Sequence, residues 1–314
     1  MSNKISHLVS IIIPLFNAKK TIMETLNSCL NHPISYTDII LIDDGSTDGS
    51  VELVKHKFPN IKIFSTTNNG VSAARNFGFH KSSSEFIVFL DADDLLLGNK
   101  IQRQLKIAKE TGADVVYGNW QKLVHDQNGN WIKGPKMERA LGKDPDLDFF
   151  TNFWCPTGAY LFKRSIVEKV GGFRLDLPVI QDARFALDCA LAGAKFVHDP
   201  EISCLYRVHK TGSVSTMDRL KFDLDCLLNS EQVAEIYKKR SLFEGDRKKA
   251  VGGNGNRLAQ EIGSKNIAAF KRAVKLFQIA CPEANSALST KMRILSNIFG
   301  YKIARKFINF LLKR

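Results

Sequence analysis

Nowhere does the 314-residue sequence run uncharged for the ~20 residues that a membrane-crossing helix needs. The segment from Met1 to Leu8 is polar and has no apolar core of a secretory signal, so a cytoplasmic protein is expected. The six cysteines (Cys29, Cys155, Cys189, Cys204, Cys226, Cys281) stand singly, and no C-x-x-C pair occurs. That spacing excludes a disulfide framework or a zinc knuckle and reads as reduced, buried small hydrophobes. There is no G-x-G-x-x-G after the first apolar run, where Pro14-Leu15-Phe16-Asn17 stands instead, and no G-x-x-x-x-G-K-[ST] anywhere. A dinucleotide-dependent oxidoreductase and a P-loop nucleotidase are therefore set aside. Internal repeats and low-complexity tracts are also missing.

What is present belongs to an ordinary globular chain: 44% hydrophobic, 25% charged and 10% aromatic residues, enough to bury a large core. The net charge of +13 is uneven, because residues 217–314 carry 20 Lys/Arg against 9 Asp/Glu. A basic final third calls for a partner bearing negative charge, such as anionic lipid, a phosphorylated acceptor or nucleic acid.

The first 120 residues alternate short apolar runs with helical patterns. Strands are expected at Val9–Pro14, Ile39–Asp43, Ile61–Thr66, Phe86–Leu90 and Asp114–Trp120, and helices at Thr21–Asn31, Ser50–Phe58, Val71–Lys81 and Asn99–Glu110. Such alternation predicts an α/β fold with a mixed, mostly parallel sheet flanked by helices. Around Asp126-Gln127-Asn128-Gly129-Asn130 a hairpin is expected. Helices near Ser165–Val170 and Asp182–Leu191 and strands near Phe196 and Ser203–Val208 follow, and the chain beyond Ser215 reads as helical.

Polar residues gather where the strands end. Pro14-Leu15-Phe16-Asn17, Asp43-Asp44-Gly45-Ser46, Asn68-Asn69-Gly70 and Asp91-Ala92-Asp93-Asp94 each follow an apolar run. In an open parallel sheet these exits share one rim, the edge where ligands bind. Taken alone, Asp43-Asp44-Gly45-Ser46 or Asn68-Asn69-Gly70 could be only a turn or a helix cap. The last cluster, Asp91-Ala92-Asp93-Asp94, is less easily explained so. It leaves Phe86-Ile87-Val88-Phe89-Leu90, a run typical of a buried strand. Carboxylates crowded there repel one another and are driven towards protonation unless a hard divalent cation joins them. In an extended chain Asp91 and Asp93 would point to one side and Asp94 to the other.

Several stretches occur together: Val9-Ser10-Ile11-Ile12-Ile13-Pro14-Leu15-Phe16-Asn17, Ile42-Asp43-Asp44-Gly45-Ser46-Thr47-Asp48, Gly70-Val71-Ser72-Ala73-Ala74-Arg75-Asn76 and Phe89-Leu90-Asp91-Ala92-Asp93-Asp94. They resemble the family-2 glycosyltransferases of GT-A (Rossmann-like) fold. The likeness continues through Lys169-Val170-Gly171-Gly172-Phe173, Gln181-Asp182-Ala183-Arg184-Phe185 and Tyr206-Arg207-Val208-His209, over roughly residues 9–215. It implies a catalytic domain over residues 1–215, with a nucleotide-sugar half to about 120 and an acceptor half from 121, followed by a basic helical region over 216–314.

The resemblance also implies roles. Pro14 and Phe16 would border the donor base, Asp44 would accept a hydrogen bond from it, and uracil's imide N–H makes UDP the expected nucleotide. Arg75, Asn69, Asp91 and Arg207 would be further nucleotide-sugar contacts. Asp93 and Asp94, with His209 as a further metal or phosphate ligand, would hold Mn²⁺ or Mg²⁺. Asp182 matches the general base of an inverting transfer. Many relatives carry Glu immediately before that Asp, where this chain has Gln181. The partners implied are a nucleotide-sugar donor and a glycan or lipid-linked glycan acceptor, as in bacterial polysaccharide assembly. Nucleic acid is not expected, since the basic residues avoid the acidic rim and form no known motif. The nearest enzymatic rival, a nucleotidyltransferase making nucleotide sugars, usually opens on a Gly-rich basic loop absent here, and a non-catalytic nucleotide-sugar binder is the alternative of another class.

The last segment has a pattern of its own. On a helix, Lys302, Arg305, Lys306, Asn309 and Lys313 share one side, with Phe299, Ile303, Phe307, Ile308, Phe310 and Leu311 opposite. Such a helix can lie on the anionic inner face of a cell membrane through residues 295–314, or can pack against protein with its cations in water.

Overall fold

A computed structural model describes residues 8–32, 37–209 and 218–282. Two compact units divide the chain, Met1–Lys210 and Thr211–Arg314. The basic helix expected over 295–314 and the expected boundary near Ser215 lie outside the described residues.

The first unit is built on one nine-stranded sheet. Its elements in chain order begin with β1 (Val9–Leu15), α1 (Ile22–Leu30), β2 (Thr37–Asp43), α2 (Ser50–Lys57), β3 (Lys62–Ser65) and α3 (Val71–Lys81). Next come β4 (Phe86–Phe89), β5 (Leu95–Leu96), α4 (Lys100–Thr111), β6 (Val115–His125), β7 (Trp131–Met137) and α5 (Pro145–Thr151). The unit closes with β8 (Tyr160–Lys163), α6 (Arg164–Val170), α7 (Gln181–Leu191) and β9 (Phe196–Arg207). In space the strands run β3-β2-β1-β4-β8-β6-β9-β5, and β7 pairs with β6. The α/β fold is therefore the mixed, mostly parallel sheet expected. β1 pairs in parallel with β2 and β4, β2 with β3, and β6 with β9. The pairings of β8 with β4 and β6, of β5 with β9 and of β7 with β6 are antiparallel.

β1 is buried along its whole length. Its run of Ile and Val suits a central strand that is covered on both faces and needs no polar alternation. Helix α3 lies unusually close to this strand. A Cβ added at Gly78 would overlap Ile12 Cγ2 and stand 3.0 Å from Ile42 Cγ1, so only glycine lets the helix approach so near. Ala74, one turn earlier, packs with Ile40 and Ile42.

Two expected strands near Phe196 and Ser203–Val208 are one strand, β9, despite Pro200 in its middle. Register shifts against β6 on either side of Asn119 accommodate the proline, and Asn119 Nδ2 donates to the Pro200 carbonyl at 2.6 Å. A bulge is where a strand tolerates proline.

The second unit's described elements are α8 (Arg219–Lys239), α9 (Gly245–Ile262) and α10 (Ile267–Ala280). Helices α9 and α10 pack at backbone distance: a Cβ on Gly255 would sit 2.7 Å from the Phe277 amide and 2.9 Å from the Ala273 carbonyl. Among the described residues no helix is long and apolar enough to cross a membrane.

Candidate active site

The rim at the carboxyl ends of β1, β2 and β4 brings together the polar clusters that the sequence separates. Asn17, at φ +50°, links the β1 exit to the β2 exit: its amide donates to Ser46 Oγ and its side-chain oxygen accepts from the Thr47 amide at 2.8 Å. Asp44 is almost wholly buried. Its Oδ1 accepts from Thr66 Oγ1 and from the Asn69 amide, both at 2.9 Å, and its Oδ2 accepts from the Gly70 amide at 2.8 Å. Asp44 thus shapes the loop after β3, and one lone pair on Oδ2 is left for an outside donor. The Asn69 side chain turns to Thr67 Oγ1 at 3.1 Å. Pro14 is buried inside β1 opposite Ile42, whereas Phe16 stands 50% exposed and offers its ring to whatever occupies the rim.

Asp91, Ala92, Asp93 and Asp94 form a turn, closed by the Asp94 amide donating to the Asp91 carbonyl at 3.1 Å. This corrects the extended-chain expectation. A turn folds all three side chains inwards, and one oxygen from each lies within 4.8 Å of the others. Helix α1 grips the turn from behind, with Thr21 Oγ1 and Thr25 Oγ1 donating to the Ala92 carbonyl at 2.9 and 3.0 Å.

Each carboxylate of the turn has a distinct partner. Asp91 is paired with the buried Arg75, whose guanidinium also donates to Gln181 Oε1 and lies over the Phe173 ring at 4.9 Å. Asp93 Oδ2 meets His209 Nε2 at 2.8 Å. Asp94 Oδ1 accepts the Arg207 amide at 2.9 Å, while its buried Oδ2 has no hydrogen-bond partner among the described residues. Arg207 spans the site: it donates to the Asp93 carbonyl at 2.6 Å, pairs with Glu24 and lies over Trp131 at 5.3 Å.

The electrostatics follow from this crowding. Burial pushes the Asp94 carboxyl well above the usual range, and the charges of Asp93 and Asp91 push it further. Asp91 is raised too, by desolvation first, although Arg75 opposes the shift. His209 is held above its ordinary value, chiefly by its hydrogen bond to Asp93. An orphaned, buried carboxylate oxygen inside a cluster of hard oxygen donors suits a divalent cation such as Mn²⁺ or Mg²⁺. His209 would have to be neutral to act as a ligand, with one ring nitrogen free of its proton.

Asp182 lies in the first turn of α7, beside Gln181, and its Oδ2 accepts a hydrogen bond from Trp154 Nε1 at 2.9 Å. Its negative charge is felt at Asp91, where it helps raise the carboxyl. The structure thus gathers Arg75, Asp91, Asp93, Asp94, Arg207 and His209 into one network and sets Asp182 beside it through Gln181. Asp44, Asn69, Pro14 and Phe16 form the neighbouring part of the rim.

Four participants escaped the sequence reading: Glu24, Thr21, Thr25 and Trp154. Glu24 and Thr25 fall on the ordinary helix α1, with Thr21 just before it, and none carried a signal. Trp154, between α5 and β8, carried none either. Gln181 stood out only as a departure from Glu, although it is the residue that reaches Arg75.

The sheet thus carries three converging carboxylates at one of its strand exits. The chain belongs to glycosyl transferase family 2, whose model matches residues 10–171. It is 39% identical over 188 residues to an uncharacterised glycosyltransferase of Haemophilus influenzae, covering 58% of this chain and 71% of that one. The next two curated relatives are spanned over 18% and 54% of their own length. Among solved structures, residues 1–349 of Staphylococcus aureus TarS in complex with UDP-GlcNAc superpose with a TM-score of 0.60 at 17% identity, covering 89% of this chain and 92% of that one. The Pyrobaculum calidifontis mannosyltransferase PcManGT, in complex with GDP-Man and Mn²⁺, gives 0.57 at 18% identity, covering 98% and 85%. At these identities the two structures speak for the fold alone.

Proposed function

We propose that the chain is an inverting glycosyltransferase that moves a hexosyl or N-acetylhexosaminyl group from a UDP-sugar to an acceptor hydroxyl. The observation carrying this reading is the chain of contacts from Asp182 to the acidic turn. Gln181, next to Asp182 on α7, meets the same Arg75 guanidinium that pairs with Asp91. A base and a diphosphate-binding turn joined through one buried arginine keep a constant separation, which an in-line displacement requires.

In that displacement the acceptor oxygen forms its bond to the anomeric carbon as the bond from that carbon to the phosphate oxygen breaks. Asp182 takes the hydroxyl proton, a contribution of about 10²–10⁴-fold. Asp44 receives the uracil imide N–H on its remaining lone pair, with Phe16 against the base. Asn69 and Arg75 line the donor's path, and Arg207 holds the backbone of the turn. When bound at Asp93 and Asp94, Mn²⁺ or Mg²⁺ supplies charge neutralisation for the departing diphosphate. The related folds were captured with UDP-GlcNAc and with GDP-Man; the carboxylate of Asp44 could accept an N–H from either base, and the donor panel separates the two. The acceptor is a glycan or lipid-linked glycan of cell-surface polysaccharide assembly, reached from the cytoplasm, and residues 295–314 bring the enzyme to the membrane face.

The test is a donor panel with Mn²⁺ on wild-type, Asp182→Asn and Asp93→Asn proteins. Asp182→Asn is expected to bind UDP as wild-type does while transfer falls by about 10²-fold or more. Asp93→Asn is expected to erase the gain in UDP affinity that Mn²⁺ confers. Full transfer by Asp182→Asn would remove the assigned base. Donor binding by the wild-type protein without turnover of any sugar would make the chain a nucleotide-sugar binder.

A further inference from the structure

We infer that Trp154 is the positioning residue for Asp182, holding one carboxylate oxygen so that the other alone faces the acceptor hydroxyl. The inference rests on the proposed role of Asp182 as base.

An aspartate in the first turn of a helix is ordinarily drawn back onto the open N–H groups of its own helix end. The start of α7 has no side-chain cap, so those groups were available to Asp182. Its Oδ2 instead accepts the indole N–H of Trp154 at 2.9 Å, and the chain places no other hydrogen bond on this carboxylate among the described residues. Oδ1 is thereby left for the proton that transfer releases.

The donor type matters. Indole nitrogen only donates and carries no charge, so it fixes the carboxylate without competing for the proton. An arginine or lysine at the same place would hold the group more strongly and make it a weaker base.

Trp154 can act in this way because its own ring is locked. It meets Trp120 of β6 edge-on, with centroids 5.9 Å apart at 87°, and Tyr206 of β9 at 5.3 Å and 74°. Its chain neighbours Phe153 and Cys155 are buried. Tyr206 adjoins Arg207, which binds the acidic turn through the Asp93 carbonyl and the Asp94 carboxylate. Trp154 therefore ties the base to the same strand that holds the turn, a second link independent of Arg75 and Gln181.

The experiment compares three replacements with wild-type enzyme: Trp154→Phe, site-specific Trp154→benzothienylalanine, which keeps the ring volume but replaces N–H with sulfur, and the double variant Trp154→Phe/Asp182→Asn. Both single replacements are expected to lower kcat by about tenfold or more, the loss of one hydrogen bond to a charged group. KM for the donor and UDP affinity should stay within about twofold of wild-type, because the Trp154 ring meets Asp182, Trp120 and Tyr206 and not the residues assigned to the donor. The double variant should be no slower than Asp182→Asn alone, since a residue acting through the base has nothing left to position.

Benzothienylalanine restoring full kcat where Phe does not would make the role one of packing and overturn the inference. A double variant slower than Asp182→Asn by the whole Trp154→Phe factor would overturn it as well. If Asp182→Asn is inactive but Trp154→Phe transfers normally, this inference fails alone. If Asp182→Asn transfers normally, the base assignment fails with it.

Discussion

At the scale of single residues, the acidic turn holds more negative charge than its protein partners offset. Asp94 is buried with one oxygen unpartnered, and its carboxyl is raised because burial and the neighbouring aspartates penalise the charged form. A carboxyl raised in the folded state costs stability above its folded pKa, and the cost fades as pH falls towards the ordinary value of about 3.9. Asp94→Asn should therefore melt a few degrees above the metal-free wild-type protein at pH 7, one kcal/mol being about 2–4 °C in a domain of this size. Scanning calorimetry should show the advantage shrinking as the buffer approaches pH 4. Saturating Mn²⁺ should cancel it by stabilising wild-type alone. An Asp94→Asn protein that melts at or below the metal-free wild-type would mean that the turn is not electrostatically strained. The acidic cluster was legible in the sequence because three carboxylates leaving one apolar strand repel one another unless a cation joins them. Its inward convergence was not, since alternation along an extended chain gives the wrong geometry for a turn.

At the scale of elements, α3 shows how packing places chemistry. Arg75 and Gly78 lie three positions apart on one face of that helix, so the depth at which Gly78 meets β1 sets the depth at which Arg75 meets Asp91 and Gln181. Gly78→Ala forces its methyl into Ile12, an overpacking that costs about 1–3 kcal/mol. The expected result is a lower denaturation midpoint together with weaker UDP binding, read by urea titration and by calorimetry. Loss of stability with unchanged UDP affinity would show that α3 shifts without carrying Arg75. The apolar runs of β1 and β4 and the spacing of α3 and α7 were readable from hydrophobic period alone. The continuity of β9 through Pro200 was not, because proline ordinarily ends a strand and only the bulge opposite Asn119 makes room for it.

At the scale of the whole molecule, the charge is divided as the chain is. The excess of Lys/Arg lies after residue 216, outside the family-matched segment 10–171. Removal of residues 295–314 should move the protein from the membrane fraction to the supernatant while donor hydrolysis in solution is unchanged, because the acidic turn and Asp182 lie far earlier in the chain. An unaltered membrane fraction, measured by flotation with anionic vesicles, would assign those cations to solvent and the apolar side to protein packing.

Hydrophobic period, turn residues and clustered carboxylates are local properties, and so the sequence by itself determined the α/β class, the family and the rim on which Asp44, Asp91, Asp93 and Asp94 stand. Contacts between residues distant in the chain were decided only in the tertiary structure. Thr21 and Thr25 reach the Ala92 carbonyl, Glu24 reaches Arg207, Gln181 reaches Arg75, and Trp154 reaches Asp182. Each joins elements that the pattern of neither partner mentions, because hydrogen-bond geometry depends on where the sheet and its bulges set the backbone, to within fractions of an ångström.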